Sequence, residues 1–308
     1  MLTNVELREL SVLQPWRAIL AILLDWCLIG LTFMCAIRVA HPVVYFISAL
    51  LIGRTQLALG IMMHDGVHCR LCRNRKINDY VGQFLTAGPV LFSFFSYRRN
   101  HLKHHQDPLV PDDPDITLTG GYPVTRKSFA RKLLRDLFGI SYFKFVKYFL
   151  YGAHVRRKSM QSALSHSKDS LPSETMPLWM VVVSMVLANF FIFGVLFYLG
   201  HPWLYFGLWI LPALTLVQLL LRIRGIAEHA GYAPNPNQML NARTIDRSSW
   251  ETFFFAPHKV HYHIEHHQYV SIPFYNLEKA HELLAARGSL QNTNVYKGYK
   301  KIVEELVL

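Results

Sequence analysis

Nine of the sixteen histidines lie in four short windows whose spacing suits metal ligands. They are His64 and His68, then His101, His104 and His105, then His229 beside Glu228, and finally His263, His266 and His267. On a helix, residues three and four apart share one face roughly 5–6 Å apart, so each full window aims two or three imidazoles at one point. Imidazole suits zinc, copper, iron and nickel. A structural zinc is saturated by about four N or S ligands, so nine are too many for one ion and suit two. A lone histidine is ordinarily a surface or hydrogen-bonded core residue. Three windows with repeated i, i+3, i+4 spacing are better read as one polynuclear metal site.

The elements that must position these windows are apolar. The 308-residue chain is 52% hydrophobic and only 17% charged, unlike an ordinary soluble domain. Its formal charge of +12 comes from basic residues set beside apolar segments, and no nucleic-acid-binding signature accompanies them. A membrane surface is therefore the expected partner, and nucleic acid is not. Four stretches are long enough to cross a hydrocarbon core of about 20 residues: approximately residues 17–37, 42–63, 178–199 and 202–221. A shorter run over 80–96, broken by Gly82, Gly88 and Pro89, reads as re-entrant or interfacial, because irregular backbone at depth must be covered by protein. The first fourteen residues, with Glu6 and Glu9, do not resemble a cleavable secretory signal.

Two spans precede the first window and two more precede the third, so all nine histidines meet on one side. Fourteen lysines and arginines lie between residues 98 and 168, against Arg38 alone in the loops joining paired spans. The positive-inside bias makes the histidine side cytoplasmic. The expected fold is all-α and integral to the membrane: four transmembrane helices in two hairpins, with a cytoplasmic helical cap carrying the site, in one domain over residues 1–308. His41 and His201, in the hairpin loops, fall on the opposite face and are excluded as ligands. Residues 126–151 alternate basic and apolar positions and predict a helix in the headgroup region. Asn276 is expected to cap a helix with Leu277, Ala280, Leu283 and Leu284 on its apolar face, ended by Gly288. Asp25 and Arg54, at similar depths on adjacent spans, predict an ion pair. Cys27 and Cys35 sit in an apolar run, and Cys69 and Cys72 form a lone pair; all four are read as reduced thiols.

In order and spacing, the windows His64/His68, His101/His104/His105 and His263/His266/His267 resemble the three His boxes of the membrane fatty acid desaturase family. The resemblance covers about residues 40–290, and His229 looks like the family's additional ligand between the second and third boxes. In acyl-CoA desaturases an asparagine four residues earlier binds metal through water; Gly225 stands there instead, leaving water, Glu228 or nothing to complete that coordination. The resemblance implies a cytosol-facing pair of iron ions held by these nine histidines, with O2 as co-substrate, and a double bond introduced into a fatty acyl or related lipid chain. Lipid hydroxylation on the same scaffold is the alternative, and a non-catalytic membrane metal-binding protein a more distant one. A zinc hydrolase would require a general base of a kind that is missing. Asp65, Glu228 and Glu265 stand where they could orient ligand rings, whereas Asp107, Asp112, Asp113 and Asp115 read as turn and capping residues. His154, His166, His258, His261 and His281 lie off the motif. No haem signature, dinucleotide fingerprint or ferredoxin cysteine set appears, so electrons are expected from a separate ferredoxin, or a cytochrome with its reductase. Bacterial desaturases are the nearer resemblance, which implies an inner membrane with the site facing the cytoplasm. The phenylalanines at 84, 92, 94, 95 and 253–255 are candidate channel walls.

Overall fold

The computed structural model describes residues 1–144, 176–246 and 249–308. Among the described residues, four helices are long and apolar enough to cross a membrane. They are α2 (Pro15–Val39), α3 (Pro42–Val67), α8 (Leu178–Tyr198) and α9 (Tyr205–His229). The shorter helices are α1 (Asn4–Leu10), α4 (Arg75–Val81), α5 (Phe94–Gln106), α6 (Ile116–Thr119), α7 (Arg126–Leu137), α10 (Trp250–Phe255), α11 (His263–Gln268), α12 (Leu277–Ala286) and α13 (Tyr299–Leu306). Among the described residues the only sheet is a parallel pair, β1 (Thr244–Ile245) with β2 (Val295–Tyr296).

Local chemistry explains the span boundaries. Proline at the first helical position starts α2 and α3, where its missing N–H is not needed. Ala40 ends α2 in the left-handed region, and His41, whose Nδ1 accepts the Val43 N–H at 3.2 Å, caps α3. Ile29, Phe33 and Ala36 of α2 pack with Ile52 and Leu59 of α3 and with Leu208 and Trp209 of α9. Leu23, Leu24, Leu31, Phe190 and Phe191 point outward, as lipid-facing residues of a span do.

Two of the expected boundaries shift. Helix α3 runs on through His64 to Val67, and α9 runs past residue 221 to His229, so its histidine ends the helix instead of following it. Charge does not stop α9 because each cation is paired: Arg222 with buried Asp136, and Arg224 with Glu228 at 2.6 Å. The start of α9 is irregular, with a wide π turn over Tyr205–Ile210, Pro212 next, and a break at Thr215. Gln56 Nε2 donates to the Trp209 carbonyl at 2.8 Å across this distortion.

The 80–96 run is a helix end, a π turn over Gly82–Ala87 and then the start of α5. Its backbone is covered by protein. Gln83 accepts the Phe94 N–H at 2.9 Å and donates to Ser184 Oγ at 2.9 Å. A Cβ on Gly82 would lie 2.3 Å from the Phe94 ring, so only glycine admits this crossing. Asn189, inside apolar α8, donates to the Met185, Gly88 and Pro89 carbonyls and accepts from Tyr205 Oη and Trp209 Nε1, both at 3.1 Å. It joins α8, the 88–89 turn and α9 through one buried amide.

Asn276 occupies the N-cap position of α12, as expected, but its side chain makes no capping hydrogen bond. A 3-10 turn over Phe274–Asn276 leads into that helix, and the Asn276 amide donates to the Leu10 carbonyl at 2.7 Å, fastening α1. Gly288 follows the end of α12 in the left-handed conformation, as expected. The helix foreseen over 126–151 is α7 in its first half; residues 145–151, like His154 and His166, lie outside the described residues. All four cysteines are free.

Candidate metal centre

Two parallel arms carry the centre. Helices α3 and α9 end on the same side of the fold, α3 presenting His64 in its last turn and His68 just beyond it, and α9 presenting His229 as its last residue. Helix α5 supplies His101, His104 and His105 from one face, and the short α11 supplies His263, His266 and His267. All nine side chains converge. Eight are buried and His105 is half-buried.

The ring nitrogens form two adjoining groups. His64, His68, His101, His105 and His266 offer five nitrogens within 4.8 Å of one another; His104, His229 and His267 form a second set, and His229 is shared with His263 and Glu228. His101, His105 and His266 are linked by Nε2 separations of 2.9 and 3.0 Å. His229 Nε2 lies 3.2 Å from His104 Nε2 and 2.8 Å from His263 Nε2. An ion bound at about 2.1 Å holds neighbouring ligand nitrogens about 3 Å apart at right angles, so these spacings suit ligation.

Tautomers strengthen that test. The Nδ1–H of His229 donates to the Asn241 carbonyl at 2.9 Å, and that of His104 to both Asp113 oxygens at 2.9 and 3.0 Å. In the neutral rings both Nε2 lone pairs then face each other at 3.2 Å, an arrangement that a cation shared by the two rings would stabilise. Both ring nitrogens of His64 and of His267 are buried without a hydrogen-bond partner among the described residues. Buried polar atoms left unpaired are costly, and a shared metal satisfies them.

Electrostatics keep most of the rings in ligand form. Burial, deepened by neighbouring rings, holds His101, His105, His263, His266 and His267 well below the ordinary imidazole range. His68 is brought down to about 3, first by burial and then by Arg70 and Arg98. Neutral imidazole is the species that binds metal. His104 differs: burial pushes it down, but the Asp115 charge and the Asp113 hydrogen bond and charge together outweigh burial and leave it raised.

The three carboxylates expected to orient the rings do other work. Asp65 accepts the Phe274 N–H at 2.9 Å and stands 3.8 Å from His64 Nδ1, beyond hydrogen-bond reach. Glu265 accepts from Thr244 Oγ1 and His281 Nδ1, each at 2.6 Å. Glu228 is held by Arg224, its second oxygen 3.7 Å from His263 Nε2. Asp113, read from sequence as a turn residue, does turn the loop by accepting the Leu109 and Asp115 N–H groups, and it also orients His104. No local spacing links it to His104, nine residues away; only the folded loop does. His261 stays out of both sets and donates to the Ile245 carbonyl at 2.7 Å. His258 lies off the centre as expected, yet its Nε2 meets Asp25 at 2.7 Å, joining the Asp25–Arg54 pair, which is present at 3.6 Å.

Beside the centre lies a cavity of about 430 Å³. Gln56, Leu57, Gly60 and Met63 of α3 line it, as do Ala213, Val217, Leu221, Gly225 and His229 of α9, each set along one helical face. Tyr97, stacked on His101 at 5.2 Å, also faces it. Of the expected aromatic walls, Phe92 lines this space, while Phe94 and Phe95 belong to a packed core and Phe253 stacks on Arg54.

Residues 40–297 match the fatty acid desaturase family. The chain belongs to that family. This fatty acid desaturase family member is 26% identical over 287 residues to dihydrorhizobitoxine desaturase of Bradyrhizobium elkanii, covering 90% of the chain and 78% of the relative. It is likewise 26% identical over 272 residues to sn-1 acyl-lipid omega-3 desaturase (ferredoxin) of Nostoc sp. (strain 36), covering 84% and 72%. The protein is thus an oxidoreductase of the desaturase type and, with four span-length helices, an integral membrane protein.

Proposed function

We propose that this desaturase uses O2 and two iron ions to introduce a double bond into a fatty acyl or related lipid chain. The observation that carries the proposal is the pair of adjoining imidazole sets beside a cavity between α3 and α9 that His101, His104, His229 and His263 help to line. His64, His68, His101, His105 and His266 would hold one ion, and His104, His229, His263 and His267 the other, with Glu228 beside it. When bound, the two irons supply the O2-dependent oxidation; in total, two hydrogens leave adjacent chain carbons, and O2 with two electrons and two protons becomes two waters.

The protein's own residues do the positioning. Asp113 and the Asn241 carbonyl fix which nitrogen of His104 and His229 faces the centre. Leu57, Gly60, Met63, Val217 and Leu221 offer an apolar track along which an extended chain can lie with one stretch of methylenes beside His101 and His229. A track that holds the second C–H close favours loss of both hydrogens over oxygen transfer. The two hairpins, the single domain over residues 1–308, a helical cap on the cytoplasmic side of a bacterial inner membrane, and a separate ferredoxin or cytochrome as electron source complete the proposal. The relative named for ferredoxin supports a soluble donor.

A chain deuterated at candidate methylenes, supplied under O2 with a reconstituted donor system, tests it. The expected result is about two irons per chain and an alkene that has lost two adjacent labels. A product with one label lost and one oxygen gained from O2 would reassign the protein as a hydroxylase.

A further inference from the structure

The cavity has a charged wall that the metal centre does not use. Where α7 ends, Asp136 is fully engaged: Arg222 Nε and Nη2 meet its two oxygens, and Ser141 donates to it at 2.5 Å. The other carboxylates lining the cavity are also engaged, Glu228 with Arg224 at 2.6 Å and Asp115 near His104 at 3.9 Å. Arg135 lines the same wall, its Nε buried with no hydrogen-bond partner among the described residues. Lys144 lines it too and makes no ion pair among the described residues.

A buried guanidinium nitrogen without a partner is costly, and the arginine fork matches a carboxylate or phosphate in two-point geometry. We infer that this wall is an anion-binding subsite, and that the substrate is a single-chain amphiphile whose carboxylate or phosphate head pairs with Arg135 and Lys144. The inference rests on the cavity being the substrate site. About two turns of α9, roughly 10 Å of rise, separate the Arg222–Asp136 pair from His229. The carbon brought to the imidazoles therefore lies several bonds from the head.

Binding measured without turnover tests this. The full-length, metal-replete protein in a neutral detergent is equilibrated with hexadecanoate, hexadecyl phosphate or hexadecanol. The two anions should bind at least about tenfold more tightly than the alcohol. Arg135→Gln should abolish that preference and leave alcohol binding and metal content unchanged, while Arg135→Lys should retain part of it. Should Arg135→Gln fail to fold, Lys144→Gln should show the same loss in weaker form. Inorganic phosphate alone should not displace hexadecyl phosphate. Equal binding of the three ligands, a preference that survives in both variants, or displacement by inorganic phosphate as effective as by hexadecyl phosphate would overturn the inference. None of these outcomes touches the labelled-chain assay, so the subsite and the desaturase reading can fail separately.

Discussion

Replacing Asp113 with asparagine should weaken one metal site and spare the other. Both Asp113 oxygens lie within 3.0 Å of His104 Nδ1, and the same carboxylate accepts the Leu109 and Asp115 N–H groups at 2.8 and 2.9 Å. Asparagine keeps one acceptor oxygen but turns an NH2 toward the remaining donors. His104 thereby loses a charge-assisted bond and the fixed tautomer that aims its Nε2 lone pair at His229. Loss of such an orienting partner typically lowers metal affinity ten- to a hundredfold, about 1.4–2.7 kcal/mol. Asp113 touches only His104 among the nine, and His104 groups with His229 and His267. Anaerobic titration of the metal-depleted variant with ferrous iron should therefore show one ion bound as in the parent and one weakened by that factor. Asp65→Asn serves as the contrast, because its carboxylate holds the Phe274 N–H and not a ligand ring. Asparagine keeps an acceptor for that N–H, so the change should cost no more than about 1 kcal/mol of stability and leave both ions bound. Equal weakening of both sites in Asp113→Asn would refute the division of the nine histidines into two sets, and parental affinity at both would refute the orienting role of Asp113.

Three further outcomes are expected. His68 and the five ring neighbours held below the ordinary range are neutral in the fold but take up protons once unfolded, so metal-depleted protein should lose stability as pH falls below about 6.5, by roughly 1.4 kcal/mol per pH unit for each such group; His104 offsets part of this, and thermal melts that rise on acidification from pH 7 to 5 would contradict the assignment. Arg54 stacks on Phe253 at 4.5 Å and pairs with Asp25, which His258 also meets, so Asp25→Ala and Arg54→Ala should each destabilise by about 3–5 kcal/mol, and a double-mutant cycle read by denaturation should depart from additivity by more than about 0.5 kcal/mol. At Gly60, which lines the cavity with nothing within 4 Å of an added Cβ, alanine should raise stability by roughly 0.5–1 kcal/mol, while Gly60→Phe should fold but shorten the longest chain accepted, as seen in product profiles from mixed substrates.

The histidine cluster of the candidate metal centre was largely legible in the chain because its members come in local windows: a helical repeat puts His101, His104 and His105 on one face whatever surrounds them. Spans were legible for a similar reason, since apolar length is additive along the chain. Boundaries were less so. The end of α9 depends on Arg222 finding Asp136, 86 residues away, and no property of the segment after residue 221 encodes that partner.

What holds the ligands was hidden for the same reason. Asp65, Glu228 and Glu265 are neighbours of histidines in sequence, and adjacency suggested that they orient the rings, yet each is drawn to a different donor. Asp113 and the Asn241 carbonyl do that work from loops. Asn276 had the residue type of a helix cap and spends its amide on Leu10 instead. The amino-acid sequence by itself determined the ligand types, their local spacing and the apolar lengths that bring four windows to one side, because these follow from short-range periodicity and transfer free energy. Only the tertiary structure decided which imidazoles lie within ligand distance of one another, which oxygens accept from His104 and His229 and where a cavity opens between α3 and α9, because a hydrogen bond acts over about 3 Å and its partners are brought that close only by packing.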